Sequence, residues 1–367
     1  MKVLVTGSNG FIGKHICLAL SRESFEVFSF DISNTDNELK EYISKCDFII
    51  HLAGVNRPLS NDEFYNGNTN FTKKLCDYIV SLNKSVPIIM SSSIQASLDN
   101  DYGKSKKLAE DYLLSKLDNV YIYRLSNVFG KWCRPNYNSV CATFCYNIAH
   151  NLDISVRDPN YIVHFNYIDD IVNEFISVVK GSTPKYKEDN IYKIMPTYDC
   201  SLGKLSELLY YFKGEVESDR HLPLIHSEFE LKLFKTFLSY LTSDEYKYNY
   251  AVDSRGSFEE LYKDKRYGQI SENITNIGIT KGGHYHTYKK EIFYTVIGES
   301  YIKQRNITTN EVLEDYVSGN NPKLVNIIPN YTHLIRNIGN VRSHTLMWIS
   351  EIYDDKTHDT YKEEVDK

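Results

Sequence analysis

Two histidines one residue apart, His284 and His286, stand ahead of Glu291, and a third, His333, follows in a later apolar stretch. Gly278 and Gly298 bracket the first part of the pattern. Side chains one residue apart on a β-strand leave from the same face, so His284 and His286 can share one ion. A carboxylate from the next strand and an imidazole from a returning strand complete three nitrogens and one oxygen, a donor set suited to Zn²⁺ or another borderline divalent metal. A bare His-x-His is more often a pair of surface histidines. Glu291, His333 and the flanking glycines are what make these residues a candidate metal centre.

A second group lies near the other end. Tyr102 and Lys106 are four residues apart, so on a helix they share one face. An ammonium beside a phenol favours the phenolate and lowers the phenol's pKa, giving an acid/base pair able to serve a carbonyl. The apolar run Val3, Leu4, Val5 leads into Gly7, Gly10 and Gly13, and a helical pattern opens at Phe11 and Ile12. Such a turn lets backbone approach a pyrophosphate at a helix N-terminus, which makes it a dinucleotide site candidate. Asp31 ends the next apolar run; a carboxylate there accepts from a ribose 2′-OH and repels a 2′-phosphate, which argues for NADH.

The elements that must hold these residues follow from periodicity. Strand and helix patterns alternate to about residue 180, with strands at Val27–Phe30, Phe48–Leu52 and Pro87–Ser93 and amphipathic stretches from Ser139 to His150 and Asp169 to Val179. That alternation predicts an α/β Rossmann-like, doubly wound parallel sheet with helices on both faces. Residues 201–245 read as helical, with Leu205, Leu208, Leu209, Phe212 and then Phe229, Leu233, Phe237, Leu241 at helix spacing. From about residue 249 short strands and turns take over, punctuated at Arg255-Gly256 and Gly282-Gly283, and predict an all-β barrel. The expected domains are 1–247 and 248–367.

The glycine spacing, the Leu52-Ala53-Gly54 strand end, the Ser91-Ser92-Ser93 run and the Tyr102/Lys106 pair resemble the extended short-chain dehydrogenases/reductases. The resemblance implies catalysis by Ser93, Tyr102 and Lys106, with Ser92 an open alternative to Ser93 as the donor to the substrate carbonyl. It implies NAD(P)H held by Gly7, Gly10, Phe11, Ile12, Gly13, Asp31, Leu52, Ala53, Gly54, Tyr102 and Lys106, the lysine reaching the nicotinamide ribose. Arg124–Gly130 and Phe165–Asp170 resemble landmarks of members that act on nucleotide sugars, which implies that Asn127 contacts the sugar nucleotide. The stretch from Lys131 to Asn138 is basic and aromatic; Arg134 and Asn138 suit a pyrophosphate and uracil, and the same stretch would equally make an ordinary surface loop. Dehydratases of the superfamily place an acidic pair after the catalytic serine or threonine, where Ile94 and Gln95 stand here.

The metal pattern resembles the two motifs of the cupin superfamily, small β-barrels with an ion in the mouth. One departure is Asn330 after Pro329, where the family usually has glycine; asparagine is the residue best able to adopt the same left-handed backbone. Asp253–Glu260 resembles the start of sugar-nucleotide cupins such as the dTDP-4-keto-deoxysugar 3,5-epimerases. Over its whole length the chain resembles the CapF/WbjC/FnlB-type family of bifunctional UDP-sugar enzymes of capsular and O-antigen polysaccharide synthesis, closest at His51–Pro58, Trp132–Ala142 and Tyr331–His333. That resemblance implies C3 epimerisation of UDP-2-acetamido-2,6-dideoxy-β-L-arabino-4-hexulose in the barrel and C4-keto reduction in the first domain. The product would be UDP-2-acetamido-2,6-dideoxy-β-L-talose, on the route to UDP-N-acetyl-L-fucosamine. It also implies NADPH, against the NADH reading of Asp31, and a homodimer. The alternative is a single-activity UDP-4-keto-sugar reductase whose barrel only binds or supports. Spacing assigns no epimerisation base and leaves the ion open between a catalytic and a structural role.

Composition sets outer bounds. The 367 residues have room for two cores, and 25% charged residues with a net charge of −6 give no electrostatic case for nucleic acid or an anionic membrane. The seven cysteines are odd in number and form no Cys-x-x-Cys, which fits reduced thiols in a cytoplasmic protein. A strand starting at Lys2 and the lack of any long apolar run predict neither a signal peptide nor membrane insertion.

Overall fold

The computed structural model describes residues 1–219, 221–241, 250–264, 266–354 and 358–366. Val3, Leu4 and Val5 have no exposed surface, as expected of a strand covered on both faces, and they form β1 (Lys2–Thr6). The chain continues through α1 (Phe11–Arg22), β2 (Glu26–Phe30), α2 (Asp36–Lys45), β3 (Phe48–His51) and α3 (Asn61–Phe64). A π-helical turn (Tyr65–Asn70) leads into α4 (Phe71–Ser81), β4 (Ile88–Ser93), a 3₁₀ turn (Ile94–Ser97), α5 (Asp101–Lys116) and β5 (Val120–Leu125). Then come β6 (Asn127–Phe129), α6 (Val140–Ala149), β7 (Ile162–Tyr167), α7 (Ile168–Val179), β8 (Lys187–Glu188), β9 (Ile191–Tyr192), β10 (Tyr198–Ser201) and α8 (Leu202–Asp219).

Helix starts follow local chemistry. Thr35 and Glu38 close a reciprocal capping box at α2, and the Asn100 side chain accepts from Gly103 N–H at 2.8 Å to open α5. By contrast α1 starts behind Gly10 with no side-chain cap, so its first N–H groups stay free for an anion. The first sheet has the order β2-β1-β3-β4-β5-β9-β8, parallel apart from the β8–β9 pair. Progression reverses at β1, and the crevice beyond the carboxyl ends of β1 and β3 is where open parallel sheets bind ligands. The doubly wound sheet predicted from the sequence is therefore present. A small sheet, β10-β7-β6, extends this unit.

The stretch read as helical over 201–245 is interrupted after α8. Pro223 cannot continue a helix, and the two residues before it form β11 (His221–Leu222) ahead of α9 (Glu228–Leu238). The chain forms two compact units, Met1–Leu209 with His226–Leu241, and Tyr210–Ile225 with Thr242–Lys367. The expected boundary at residue 247 lies outside the described residues.

The second unit is all-β apart from its share of α8. It contains β12 (Tyr250–Asp253), β13 (Gly256–Asp264), β14 (Gly268–Thr275), β15 (Thr280–Tyr285), β16 (Glu291–Ile297) and β17 (Glu299–Asn306). β18 (Val312–Ser318), β19 (Leu324–Ile327), β20 (Tyr331–Asn337), β21 (Ser343–Ile349) and β22 (Tyr361–Lys362) complete it. One sheet runs β11-β13-β14-β21-β16-β19 and the other β18-β17-β20-β15-β22, antiparallel except for β11 on β13. Phe293, Met347 and Ile349 of the first sheet pack with Ile302, Val317 and Ile335 of the second to form its core. Among the described residues no helix is long and apolar enough to cross a membrane.

Candidate active site and candidate metal centre

At the end of β1 the backbone turns sharply at Gly7, whose φ is 72°, and a Cβ there would meet Ala53 N at 2.7 Å. Gly7 therefore lets the glycine turn lie against the Leu52-Ala53-Gly54 loop. Gly10, Phe11, Ile12 and Gly13 form the entry and first turn of α1. Asp31, just past β2, has its carboxylate engaged by Asn9 N–H at 2.7 Å and Ile32 N–H at 2.8 Å, which fixes it beside the turn. Replacing Asp31 by alanine is expected to raise the NADPH:NADH ratio of kcat/KM by removing the charge that opposes a 2′-phosphate. An unchanged ratio would remove the argument from this carboxylate.

At Gly54 an added Cβ would lie 2.6 Å from Asn68 Oδ1 and 2.9 Å from Lys106 Nζ, so the missing side chain lets this loop touch the lysine. Lys106 Nζ donates to Ser91 O at 3.3 Å. Burial pushes its pKa down to about 8, with Glu110 pulling the other way. Tyr102, on the same helix face, has the Ser93 side chain beside its phenol. The sequence-based expectation that the ammonium would lower this phenol is not met: burial pushes Tyr102 up, and the neighbouring Ser93 side chain only partly opposes it. A protonated phenol results, suited to giving a proton.

Glu110 sets Ser92 apart from Ser93. Ser92 Oγ donates to Glu110 Oε1 at 2.5 Å, and Arg124 grips the same carboxylate through Nε at 2.9 Å and Nη2 at 2.6 Å. Glu110 is 1% exposed, so Ser92 is committed to a buried ion-pair network while Ser93 faces Tyr102.

Sequence reasoning missed a hydrogen-bond chain beneath this site. Ala53 N–H donates to Thr6 Oγ1 at 3.3 Å, Thr6 Oγ1 lies 2.7 Å from His51 Nδ1, His51 Nε2 lies 2.8 Å from Thr72 Oγ1, and Thr72 donates to Asn68 O at 2.6 Å. Because the Thr72 hydrogen goes to Asn68 O, His51 must donate through Nε2 and accept through Nδ1. Burial first, and Lys106 second, push His51 down to about 3, so the ring stays neutral. Asn68 in turn donates from Nδ2 to Val55 O and Ser105 Oγ, both at 2.9 Å. A histidine inside an apolar strand run gives no sign of such partners in sequence.

The expected substrate-side residues are less gathered. Asn127 is exposed and donates to His164 O at 3.3 Å. Arg134 lies 5.0 Å above the Tyr137 ring, and Arg57, which the sequence did not single out, lies 5.8 Å from the same ring and donates to the Tyr137 carbonyl. Among the described residues, no hydrogen bond joins Asn127, Arg134 or Asn138 to Ser93 or Tyr102.

In the second unit a bulge between Gly282 and His284 shifts the pairing of β15 with β20 so that His284 sits directly opposite His333. His286 follows one residue beyond β15. Ligand nitrogens of His284, His286 and His333 lie within 4.8 Å of one another. Glu291, at the start of β16, places Oε1 3.4 Å from His286 Nε2 and Oε2 3.4 Å from His333 Nε2. Those gaps exceed the about 2.7–2.9 Å of a charge-assisted hydrogen bond. Two ligands each about 2.1 Å from a tetrahedral ion would stand about 3.4 Å apart. His286 Nε2 and Glu291 Oε2 are buried without a hydrogen-bond partner, so the residues fit a divalent cation. Burial, with help from His333 and His286, pushes His284 down to about 4, which favours the neutral, ligating ring. Burial works to raise Glu291, but the facing imidazoles of His286 and His333 outweigh it and hold the carboxyl well below its usual range.

These residues line a cavity of about 510 Å³, together with Lys281 and Lys289. Lys281 Nζ donates to Asn273 Oδ1 and Ile274 O, both at 2.9 Å, and to Ser257 O at 3.2 Å, so its three protons are committed. His344 pairs with Glu272 at 2.8 Å and Tyr331 donates to Glu311 at 2.7 Å. Asn330 has φ 65°, the left-handed backbone that glycine would have supplied.

Residues 3–191 match the NAD dependent epimerase/dehydratase family and residues 251–361 match the polysaccharide biosynthesis C-terminal domain. A UDP-2-acetamido-2,6-beta-L-arabino-hexul-4-ose reductase of Pseudomonas aeruginosa is 39% identical over 98% of this chain and 98% of its own. The crystal structure of the capsular polysaccharide assembling protein CapF from Staphylococcus aureus agrees with a TM-score of 0.90 at 42% identity, covering 100% of each chain. A UDP-glucose 4-epimerase of Thermotoga maritima covers 65% of this chain and 98% of its own with a TM-score of 0.53 at 18% identity, a likeness of fold alone.

Proposed function

The chain belongs to the NAD dependent epimerase/dehydratase family and, over its whole length, to the CapF-type group, and from that membership we propose that it is a bifunctional UDP-sugar enzyme. In this reading the first unit reduces the C4 ketone of a UDP-linked 4-keto-6-deoxy-N-acetylhexosamine with NAD(P)H. The second, a cupin, first epimerises C3 of UDP-2-acetamido-2,6-dideoxy-β-L-arabino-4-hexulose, so that UDP-2-acetamido-2,6-dideoxy-β-L-talose leaves the enzyme. The observation that carries the reductase half is the protonated Tyr102 with Ser93 and Lys106 in one group, in a chain that matches a UDP-4-keto-sugar reductase over 98% of its length.

NAD(P)H, when bound, supplies the hydride that adds to the C4 carbonyl carbon. The carbonyl π pair moves to oxygen, where Ser93 donates a hydrogen bond and Tyr102 delivers its proton. Lys106, held beside Gly54 and Ser91 O, would hold the nicotinamide ribose through its ammonium. In the second unit His284, His286, His333 and Glu291 would hold a zinc ion, which supplies positive charge beside the cavity. The proton at C3 is acidic because it neighbours the ketone, and its removal and return on the opposite face would invert that carbon. One ketone would then serve both units. The rival, a single-activity reductase with a structural ion, draws on the donor count, because three imidazoles and a carboxylate fill a tetrahedral site.

Substrate-dependent NAD(P)H oxidation by the purified chain, followed from about pH 6 to 10, tests the reductase half. Lys106 is charged below about 8 and loses its proton above it, so kcat/KM is expected to fall as pH rises through that value. No oxidation with the UDP-4-keto sugar would reject the assignment, and a flat profile would reject the role of Lys106.

A further inference from the structure

The carboxylate of Asp359 is 2% exposed and sits under the turn that joins two of the candidate metal ligands. Its Oδ1 accepts from Thr287 N–H at 3.0 Å and Thr287 Oγ1 at 2.7 Å. Its Oδ2 accepts from the N–H groups of Thr287, Tyr288 and Lys289, each at 2.9 Å. The turn from Thr287 to Lys289, between His286 and Glu291, is thereby wrapped around one side chain. The backbone of the same residue acts on the ligand itself, because His286 Nδ1 donates to the Asp359 carbonyl. With the proton held at Nδ1, Nε2 keeps its lone pair and faces the cluster, where it is buried and unpartnered.

The segment that carries Asp359 is tied across both ligand-bearing strands. β22 pairs with β15, setting Lys362 opposite His284, and Glu363 N–H donates to Gly283 O at 3.1 Å. Thr332, next to His333, donates its hydroxyl to Glu363 O. Arg305 reaches from β17 to Val365 O at 3.0 Å and Glu364 O at 2.7 Å, and Val365 is 1% exposed. Residues 359–365 thus form a strap over the histidine strands, and its first residue holds the ring and the turn in place.

We propose that Asp359 is a positioning residue of the metal centre, fixing the tautomer of His286 through its carbonyl and the spacing of His286 to Glu291 through its carboxylate. The proposal rests on the metal reading of His284, His286, His333 and Glu291. Hydrogen-bond partners of ligands change metal affinity by about 10–100-fold, and that is the effect expected here. The test is zinc stoichiometry and affinity of the full chain, by competition with a chromophoric chelator, for wild type, Asp359→Ala and Asp359→Asn. Asp359→Asn keeps the backbone carbonyl and the side-chain size, so it carries the test if the alanine variant does not fold. Asp366→Ala removes the Lys303 contact at the far end of the strap and is expected to bind zinc like wild type. Melting of the zinc-free proteins separates this role from a purely structural one, which would lower that temperature and leave zinc affinity unchanged. Wild-type affinity in both folded Asp359 variants would overturn the proposal. A wild type that takes up no zinc would overturn the metal reading itself and the proposal with it.

Discussion

Replacing Tyr102 with phenylalanine is expected to lower NAD(P)H-dependent keto reduction by about 10²–10⁴-fold, the usual contribution of a positioned general acid. The expectation rests on the phenol lying beside Ser93 at the end of β4, with burial keeping the proton on its oxygen. Phenylalanine preserves the ring that lies 5.5 Å from Phe64, so the helix start stays in place. The loss is therefore expected in kcat more than in KM, measured by steady-state oxidation of the cofactor. Among the described residues, the 510 Å³ cavity of the second unit is lined by residues from Ala251 onward, so any proton exchange it catalyses is expected to survive. Activity within about twofold of wild type would remove Tyr102 from the chemistry.

Emptying the proposed metal centre is expected to have the opposite selectivity. His284→Ala, or exhaustive chelation of the wild type, leaves Glu291 buried between His286 and His333 with the 3.4 Å gaps unfilled. If the ion's charge assists loss of the C3 proton, that exchange falls by about 100-fold or more. Reduction of a substrate already epimerised at C3 continues. Added zinc restores exchange to the chelated wild type and not to His284→Ala. Full exchange in protein shown to be metal-free would confine the ion to a structural role.

The parts of this chain legible in sequence are those fixed by short-range periodicity. Gly7 to Gly13 and the Tyr102/Lys106 pair depend on spacing along one turn or one helix, and the crevice of the parallel sheet places the first pair of loops together. His284 and His286 were readable as a pair on one face, but the bulge that brings His284 opposite His333 leaves no mark in composition. Ser92 and Ser93 look alike until Glu110 and Arg124 claim the first of them. Asp359 lies 73 residues from the histidine it orients, and His51 finds Thr72 through a contact 21 residues long. Such partners are set by tertiary packing. The expected lowering of the Tyr102 phenol failed for a related reason, because tertiary burial, which helix spacing does not reveal, pushes the phenol up.

The claim that one ketone serves two sites is tested most directly by proton NMR of the UDP-4-keto-6-deoxy-N-acetylhexosamine with the purified chain in D₂O, first without and then with reduced cofactor. Deuterium entering at C3 before any cofactor is present, followed by reduction of the exchanged ketone once NAD(P)H is added, is the result the account predicts. Reduction that proceeds with the C3 proton intact would contradict it and leave a plain ketoreductase carrying a binding or structural β-domain.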